Sequence, residues 1–399
     1  MTSSANRWQT TALSEVCDVA PKDAPLPADA PFVPMDAVTV GERWPSYYEA
    51  RGTRSGVRAQ AGDVLFARIT PCLENGKLAQ VPPGTKRVGG STEFIVVRPG
   101  DLVDDGYLYF WCMEPSVRSK AKALMAGATG RMRLGATDFG QFRIPLPPLD
   151  EQRRIVELLE DHLSRLDAAD AGLASSMHRL DALKQSVLAE LHDGDPVPLA
   201  ELAWDSGYGT SEKCVVDGPG VSVVRIPNLV NGVVDLTDEK RVADVDADVS
   251  SSILAVGDLL IVRTNGSVDL IGRSAVVQEG IDAAFASYLI RYRVRGERVR
   301  PAWVQAMLST PQVRRTIKPL AASSAGQHNL SLAKLDPLEL PVPSLEQQDT
   351  GLARLREIEE NAASLRAEID RARSHSAGLR RSLLAAAFSG QLTAEMVTA

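Results

Sequence analysis

Two stretches of this 399-residue chain, 196 positions apart, have nearly the same sequence. Ile144-Pro145-Leu146-Pro147-Pro148-Leu149-Asp150-Glu151-Gln152 is echoed by Leu340-Pro341-Val342-Pro343-Ser344-Leu345-Glu346-Gln347-Gln348. The register holds to the far end of each segment: Leu183-Lys184-Gln185-Ser186-Val187-Leu188-Ala189 matches Leu379-Arg380-Arg381-Ser382-Leu383-Leu384-Ala385, and Gly194 matches Gly390. A constant offset across some 50 residues marks an internal duplication whose unit is far longer than a solenoid repeat. Each copy is a large variable region followed by a long polar-apolar segment.

The long segments are predicted helices. Between Asp150 and Asp193 there is no Pro and a single Gly, Gly172. Leu159, Leu166, Leu173, Leu180 and Val187 recur at heptad spacing, with a second row at Ile155, Ala169 and Leu183. The second copy keeps the seam with Leu355, Ile358, Leu365, Ile369, Leu379 and Leu383, and with Ala362 and Ala372 between them. Heptads sustained this long build a coiled-coil seam. Each start carries prolines and an acid in the first turn (Asp150-Glu151, Glu346), and each end carries Gly194 or Gly390. About 44 residues at 1.5 Å each make a rod of roughly 65 Å. Two such seams can bury each other, and one rod after each variable region reads as a spacer.

Four isolated cysteines (Cys17, Cys72, Cys112, Cys214) form no C-x-x-C pair, which points to a reducing cytosol. The N-terminus leads to no apolar core of a signal peptide, and no run of 18 apolar residues occurs, so neither secretion nor a membrane span is expected. Cytoplasmic localisation follows as an expectation. The net charge of −7 is uneven: residues 1–149 carry +2, 150–193 carry −5 and 194–345 carry −3. A free-standing DNA binder usually shows a strong basic excess. If this chain reads nucleic acid, a partner supplies much of the phosphate attraction.

The variable regions read as mixed α/β. Strand-like runs fall at Asp63–Ile69 and Glu93–Val97, with a helical stretch from Tyr107 to Leu124. The second region has runs at Val221–Ile226, Asp258–Arg263 and Tyr288–Val294, and a helix from Ala302 to Lys318. The two regions are themselves related: Gly62-Asp63-Val64-Leu65 with Arg68 matches Gly257-Asp258-Leu259-Leu260 with Arg263 at 195. Gly130–Leu134 aligns with Gly326–Leu330 at 196. The expected fold class is α+β: two mixed α/β domains and two long coiled-coil-like helices, in the order variable–constant–variable–constant, with the variable parts diverged on one scaffold.

The proline motif, the seamed helices and their endings resemble the specificity subunit of type I restriction-modification systems. Val224-Arg225-Ile226-Pro227-Asn228-Leu229 followed by Asn231-Gly232 is similar to the opening of that family's target-recognition domains, and Gly257–Arg263 is similar to a later strand. The resemblance covers essentially the whole chain, although Ser344 and Gln347 depart from the motif. It implies target-recognition domains at 1–145 and 196–341, and conserved helical spacers at 146–195 and 342–399, the two mixed α/β domains being separated by two long antiparallel coiled-coil-like helices in an internal pseudo-twofold duplication. It implies a bipartite, asymmetric double-stranded DNA target, each half read by one domain, with the helices setting the gap. Partners would be two DNA adenine methyltransferase subunits and two restriction-translocase subunits, and no membrane. The chain itself would hold no cofactor, while S-adenosylmethionine, ATP and Mg would belong to the partner subunits.

The residues are consistent with a non-catalytic role. The [DN]-P-P-[YF] motif of amino-methyltransferases, the G-x-x-x-x-G-K-[ST] phosphate loop and H-E-x-x-H are all absent. His162, His178, His192 and His375 fall on the long helices, His162 on the seam, where a packed imidazole outweighs a metal ligand. Glu74-Asn75-Gly76-Lys77 has the wrong spacing for a nuclease, and reads as a turn bearing a DNA-facing lysine.

Base-reading candidates are polar residues on the loops of each domain, because Arg pairs bidentately with guanine and Asn or Gln with adenine. They are Arg51, Arg54, Arg68, Lys77, Arg131 and Arg133 in the first, and Arg225, Arg263, Asn265, Arg273, Gln327, His328 and Asn329 in the second. Each must be weighed against a solvated charge or a loop cap. The loops Gly127–Leu134 and Ser323–Leu330 gain weight as an equivalent pair, and Arg291, Arg293, Arg295, Arg298 and Arg300 read as phosphate-tracking or simply exposed. Two other readings stand beside this one: a coiled-coil scaffold whose variable heads bind protein, and a modification-only subunit with no nuclease partner.

Overall fold

A computed structural model describes residues 8–128, 131–190, 194–324 and 326–394. His192, Glu395, positions 129–130 of the first candidate loop and 325 of the second lie outside the described residues. The chain divides into two compact units: residues up to Leu173 together with those from Ile369 on, and Ala174–Glu368. Each division falls inside a long helix, Leu149–Glu190 or Leu345–Ser389.

In the first unit the strands Cys17–Val19, Phe94–Pro99, Val64–Ala67 and Leu78–Gln80 form an antiparallel sheet in that order. Its central strands are apolar over Val64–Ala67 and Phe94–Val97 because both faces are covered, and successive side chains point to opposite faces. Val64, Phe66, Ile95 and Val97 pack toward the helices, with Leu108, Leu159 and Phe388 in the same core. Leu65, Ala67, Phe94 and Val96 face a second core. That core lies beside another sheet, in which Pro31–Val33 runs parallel to Val88–Gly90.

The second unit repeats the plan. Ala203–Tyr208, Leu289–Val294, Asp258–Val262 and Ser274–Val276 keep the same order, extended by two short strands, and Ser222–Val224 runs parallel to Ala283–Phe285. The duplication therefore extends to the topology of the variable regions. Each expected single helix is a pair: Asp105–Met113 with Pro115–Ala123, and Pro301–Ser309 with Pro311–Leu320. The break precedes Pro115 and Pro311, because proline disfavours the α conformation in the residue before it, and Glu114 and Thr310 are extended.

The duplicated proline motif is a clasp. Buried Gln152 accepts from the Asp104 N–H (2.8 Å) and donates to the carbonyls of Leu102 (2.9 Å) and Pro147 (2.8 Å). Buried Gln348 accepts from the Arg300 N–H (2.8 Å) and donates to Arg298 (3.4 Å) and Pro343 (2.8 Å). The Tyr107 hydroxyl donates to the Pro145 carbonyl (2.9 Å), and the Trp303 indole donates to Pro341 (2.8 Å). Different aromatics thus satisfy the same orphaned carbonyl in the two copies.

The long helices are antiparallel within each unit. In the first, Arg380 meets Asp167 and Asp170, and Thr393 meets Glu151. In the second, Asp181 meets Arg366, Lys184 meets Glu359, and Glu190 meets Arg354. Leu159, Val187, Leu355 and Ile369 are buried, while Leu166, Leu173, Leu180, Ile358 and Leu365 are half-buried. Four seam expectations are corrected. Leu183 and Leu379 are 50% and 41% exposed, and Ala169 and Ala372 are exposed. An α-helix drifts relative to a strict seven-residue repeat, and the buried face moves to Leu188 and Leu384.

Candidate nucleic-acid interface

In both units a central strand runs past the edge of its sheet and is met by a hairpin. In the first, Val64–Ala67 continues into Arg68, whose N–H donates to the Glu93 carbonyl (2.9 Å) and whose carbonyl accepts from Leu134 (2.8 Å). The hairpin pairs Ala126–Ala128 with Arg131–Arg133, and Ile69 bridges Arg133. The Arg133 guanidinium grips Glu93 at two points, 2.6 and 2.9 Å. That hydrogen-bonded cation holds the Glu93 carboxyl below the usual carboxylate range.

In the second unit, Asp258–Val262 continues into Arg263, whose carbonyl accepts from Leu330 (2.8 Å). Thr264–Asn265, Gln327–Asn329 and Ala322–Ser324 form a three-stranded ribbon. Arg263 lies over the Tyr208 ring at 4.3 Å and donates to the Asn329 side-chain oxygen (3.1 Å), which also accepts from the Thr264 hydroxyl (3.1 Å). The Nε atoms of Arg68 and Arg263, at matching positions, are buried and unpartnered, as is Nδ1 of His328.

The structure thus gathers Arg68, Arg131 and Arg133 in one unit, and Arg263, Asn265, Gln327, His328 and Asn329 in the other. Arg131, Arg133, Gln327 and Asn329 are exposed on their hairpins. A two-stranded ribbon fits the major groove, where such side chains can meet base edges.

The remaining candidates lie elsewhere. Arg51 donates to the Leu26 carbonyl, Lys77 to the Met35 carbonyl, and Arg54 pairs with Glu49. Arg225 pairs with Asp238 (2.8 Å), and exposed Arg273 lines a cavity. Arg291 is 5% exposed and pairs with Asp205 at 2.9 Å, which corrects its reading as a surface charge. Arg293 joins Asp205 and Asp258, Arg298 meets Glu201, and Arg300 meets Asp349. Glu93, Tyr208 and Thr264 are site residues that sequence reasoning missed. The 40 positions separating Glu93 from Arg133 hide their pairing, and Tyr208 carries no motif. Among the described residues no cluster of His, Cys, Asp or Glu could hold a metal, and no helix is long and apolar enough to cross a membrane.

A family model described as the type I restriction modification DNA specificity domain matches residues 6–171. The chain is similar to the StySPI specificity subunit of a type I restriction enzyme from Salmonella potsdam, at 24% identity over 315 residues, 75% of this chain and 68% of that one. The EcoKI specificity subunit of Escherichia coli K12 is likewise 24% identical over 318 residues, with the same shares covered. Among solved structures, a chain from a study of the assembly and conformational transition of a type I restriction-modification system superposes with a TM-score of 0.78. Its identity is 22%, and 96% of this chain and 98% of that one are covered. The HsdS subunit of Thermoanaerobacter tengcongensis gives a TM-score of 0.58 at 21% identity, covering 96% and 97%. At these identities the superpositions speak to the fold.

Proposed function

We infer that this chain belongs to the family of type I restriction-modification DNA specificity subunits, on the family match over residues 6–171 and the similarity to two such subunits over 75% of the chain. Its role is to supply DNA sequence specificity to a complex whose catalysis resides on other chains.

Within that role, residues 1–145 and 196–341 are the two target-recognition domains, and 146–195 and 342–399 the helical spacers. Each domain reads one half of a split duplex target. The strand-plus-hairpin ends are the reading elements, with Arg131 and Arg133 in the first, and Arg263, Gln327 and Asn329 in the second. The backbone carbonyls of Arg68 and Arg263 tie these ends to Leu134 and Leu330. The observation that carries this reading is the same hairpin device built twice, on matched topology, with different polar side chains. Matched scaffolds suit the local twofold symmetry of a duplex, and different side chains suit unlike half-sites.

The helices set the gap between the halves and dock the partners: two adenine methyltransferase subunits and two restriction-translocase subunits, acting in the cytoplasm. Methylation-sensitive sequencing of DNA from cells expressing this chain with its methyltransferase tests the reading. A new split motif methylated on adenine is expected. Finding no new motif would overturn it and favour a protein-binding scaffold.

A further inference from the structure

Arg133 and Asn329 stand at the same point of the duplication, 196 positions apart, and both are exposed. Each lies across from a matched residue of the neighbouring strand, Arg133 from Ile69 and Asn329 from Thr264. Each is also pinned from one side, by a different device.

In the second unit the pin decides which end of the amide is free. The Arg263 guanidinium carries only donors, so the Asn329 atom that meets it at 3.1 Å is the oxygen, Oδ1. The Thr264 hydroxyl donates to the same oxygen at 3.1 Å. An amide oxygen has two lone pairs, and both are filled here. Arg263 is itself held, over the Tyr208 ring at 4.3 Å and by donation to the Ser287 carbonyl at 3.2 Å. A bond from a charged donor is roughly twice as strong as a neutral one, so the oxygen is not easily released. The group that Asn329 has left for a ligand is Nδ2, which only donates.

In the first unit, Glu93 takes Nε and one hydrogen of Nη2 of Arg133, at 2.9 and 2.6 Å. Nη1 and the outer hydrogen of Nη2 are left, and these too only donate. Two unlike side chains at one duplicated position thus become the same probe, a donor pair with no free acceptor beside it.

We propose that Arg133 and Asn329 each read a guanine, one in each half of the target. This rests on the functional reading above and deepens it. In the major groove guanine shows two neighbouring acceptors, N7 and O6, whereas adenine sets the N6 donor beside N7. The usual pairing of asparagine with adenine needs Oδ1 to accept from N6, and in Asn329 that oxygen is taken. Cytosine offers the N4 donor, and thymine a single acceptor beside a methyl group. The two halves then share this base and differ at other positions, such as that of Arg131 and Gln327.

The test replaces the purines of the mapped target, one at a time, by 7-deaza analogues, which lack the N7 acceptor. Duplex binding is measured for the full chain in complex with a methyltransferase. One 7-deazaguanine in each half should weaken wild-type binding about tenfold. Asn329→Ala should abolish that penalty in one half and leave it in the other, and Arg133→Ala should do the reverse. Asn329→Asp keeps an oxygen toward Arg263 and Thr264 but makes the outward atom an acceptor. It should exchange guanine for cytosine at that one pair of the methylated motif. Guanine penalties that survive both alanine variants, or a 7-deazaadenine penalty that vanishes in their place, would overturn the proposal and leave the functional reading intact. A wild-type chain that directs no methylation to a split motif would overturn both.

Discussion

At the scale of single residues, the side chains that matter most are those repeated across the two copies in role. Arg98 bonds both Asp63 and Asp23, at 2.8 and 2.7 Å, and Asp63 is fully buried. Arg98→Ala strands a buried charge and should cost about 3–5 kcal/mol, read as a lowered urea midpoint. Hydrogen bonding to Arg98 holds the Asp23 carboxyl below its usual range. A depressed carboxyl stabilises the fold above its unfolded pKa of about 4 and loses that contribution as pH falls through the folded value. The Arg98→Ala penalty should therefore shrink in acid, and an equal penalty at pH 7 and pH 3 would contradict the pairing. At the reading elements, Asn329→Ala and Arg133→Ala should each relax one half of the target, by about 1–3 kcal/mol per bidentate contact, and leave the other half unchanged. Comparing the methylated motifs of the two variants checks this. The sequence exposed these hairpins only as a matched pair of loops. Glu93, Tyr208 and Thr264 were invisible because their partners lie far along the chain, and Arg291 read as exposed because its acids sit on other strands.

At the scale of elements, the long helices were legible because a seven-residue repeat and terminal glycines are local signals. The phase of the seam was less so. The heptad rule places Leu183 and Leu379 inside, yet both are exposed, since straight helices do not follow a strict repeat over about six heptads. Stability should track burial and not heptad position. Leu159→Asp should unfold the first unit or lower its melting temperature sharply, whereas Leu183→Asp should leave it nearly unchanged. Equal losses would restore the strict heptad. The clasp predicts coupling between spacer and domain: Gln152→Ala leaves the Asp104 N–H and two carbonyls unmet and should cost about 1–3 kcal/mol. Gln348→Ala should do the same in the second unit, and the two penalties should add. Calorimetry of the single and double variants measures this. The motif's glutamines stood out in the sequence only as repeated letters, because the hydrogen bonds run to backbone groups some 50 residues upstream.

At the scale of the whole molecule, the duplication is the organising fact. It fixed two variable regions and two helices from sequence alone, and the strand order repeats accordingly in both units. The account's central claim is that each domain reads its own half of the target. Its most direct test exchanges residues 1–145 for the equivalent region of a type I specificity subunit and maps methylated adenines genome-wide in cells that also supply a methyltransferase. The account predicts a motif in which one half and only one half is replaced, with the gap preserved. A motif altered in both halves would contradict it, and would show that the chain reads DNA as one continuous surface.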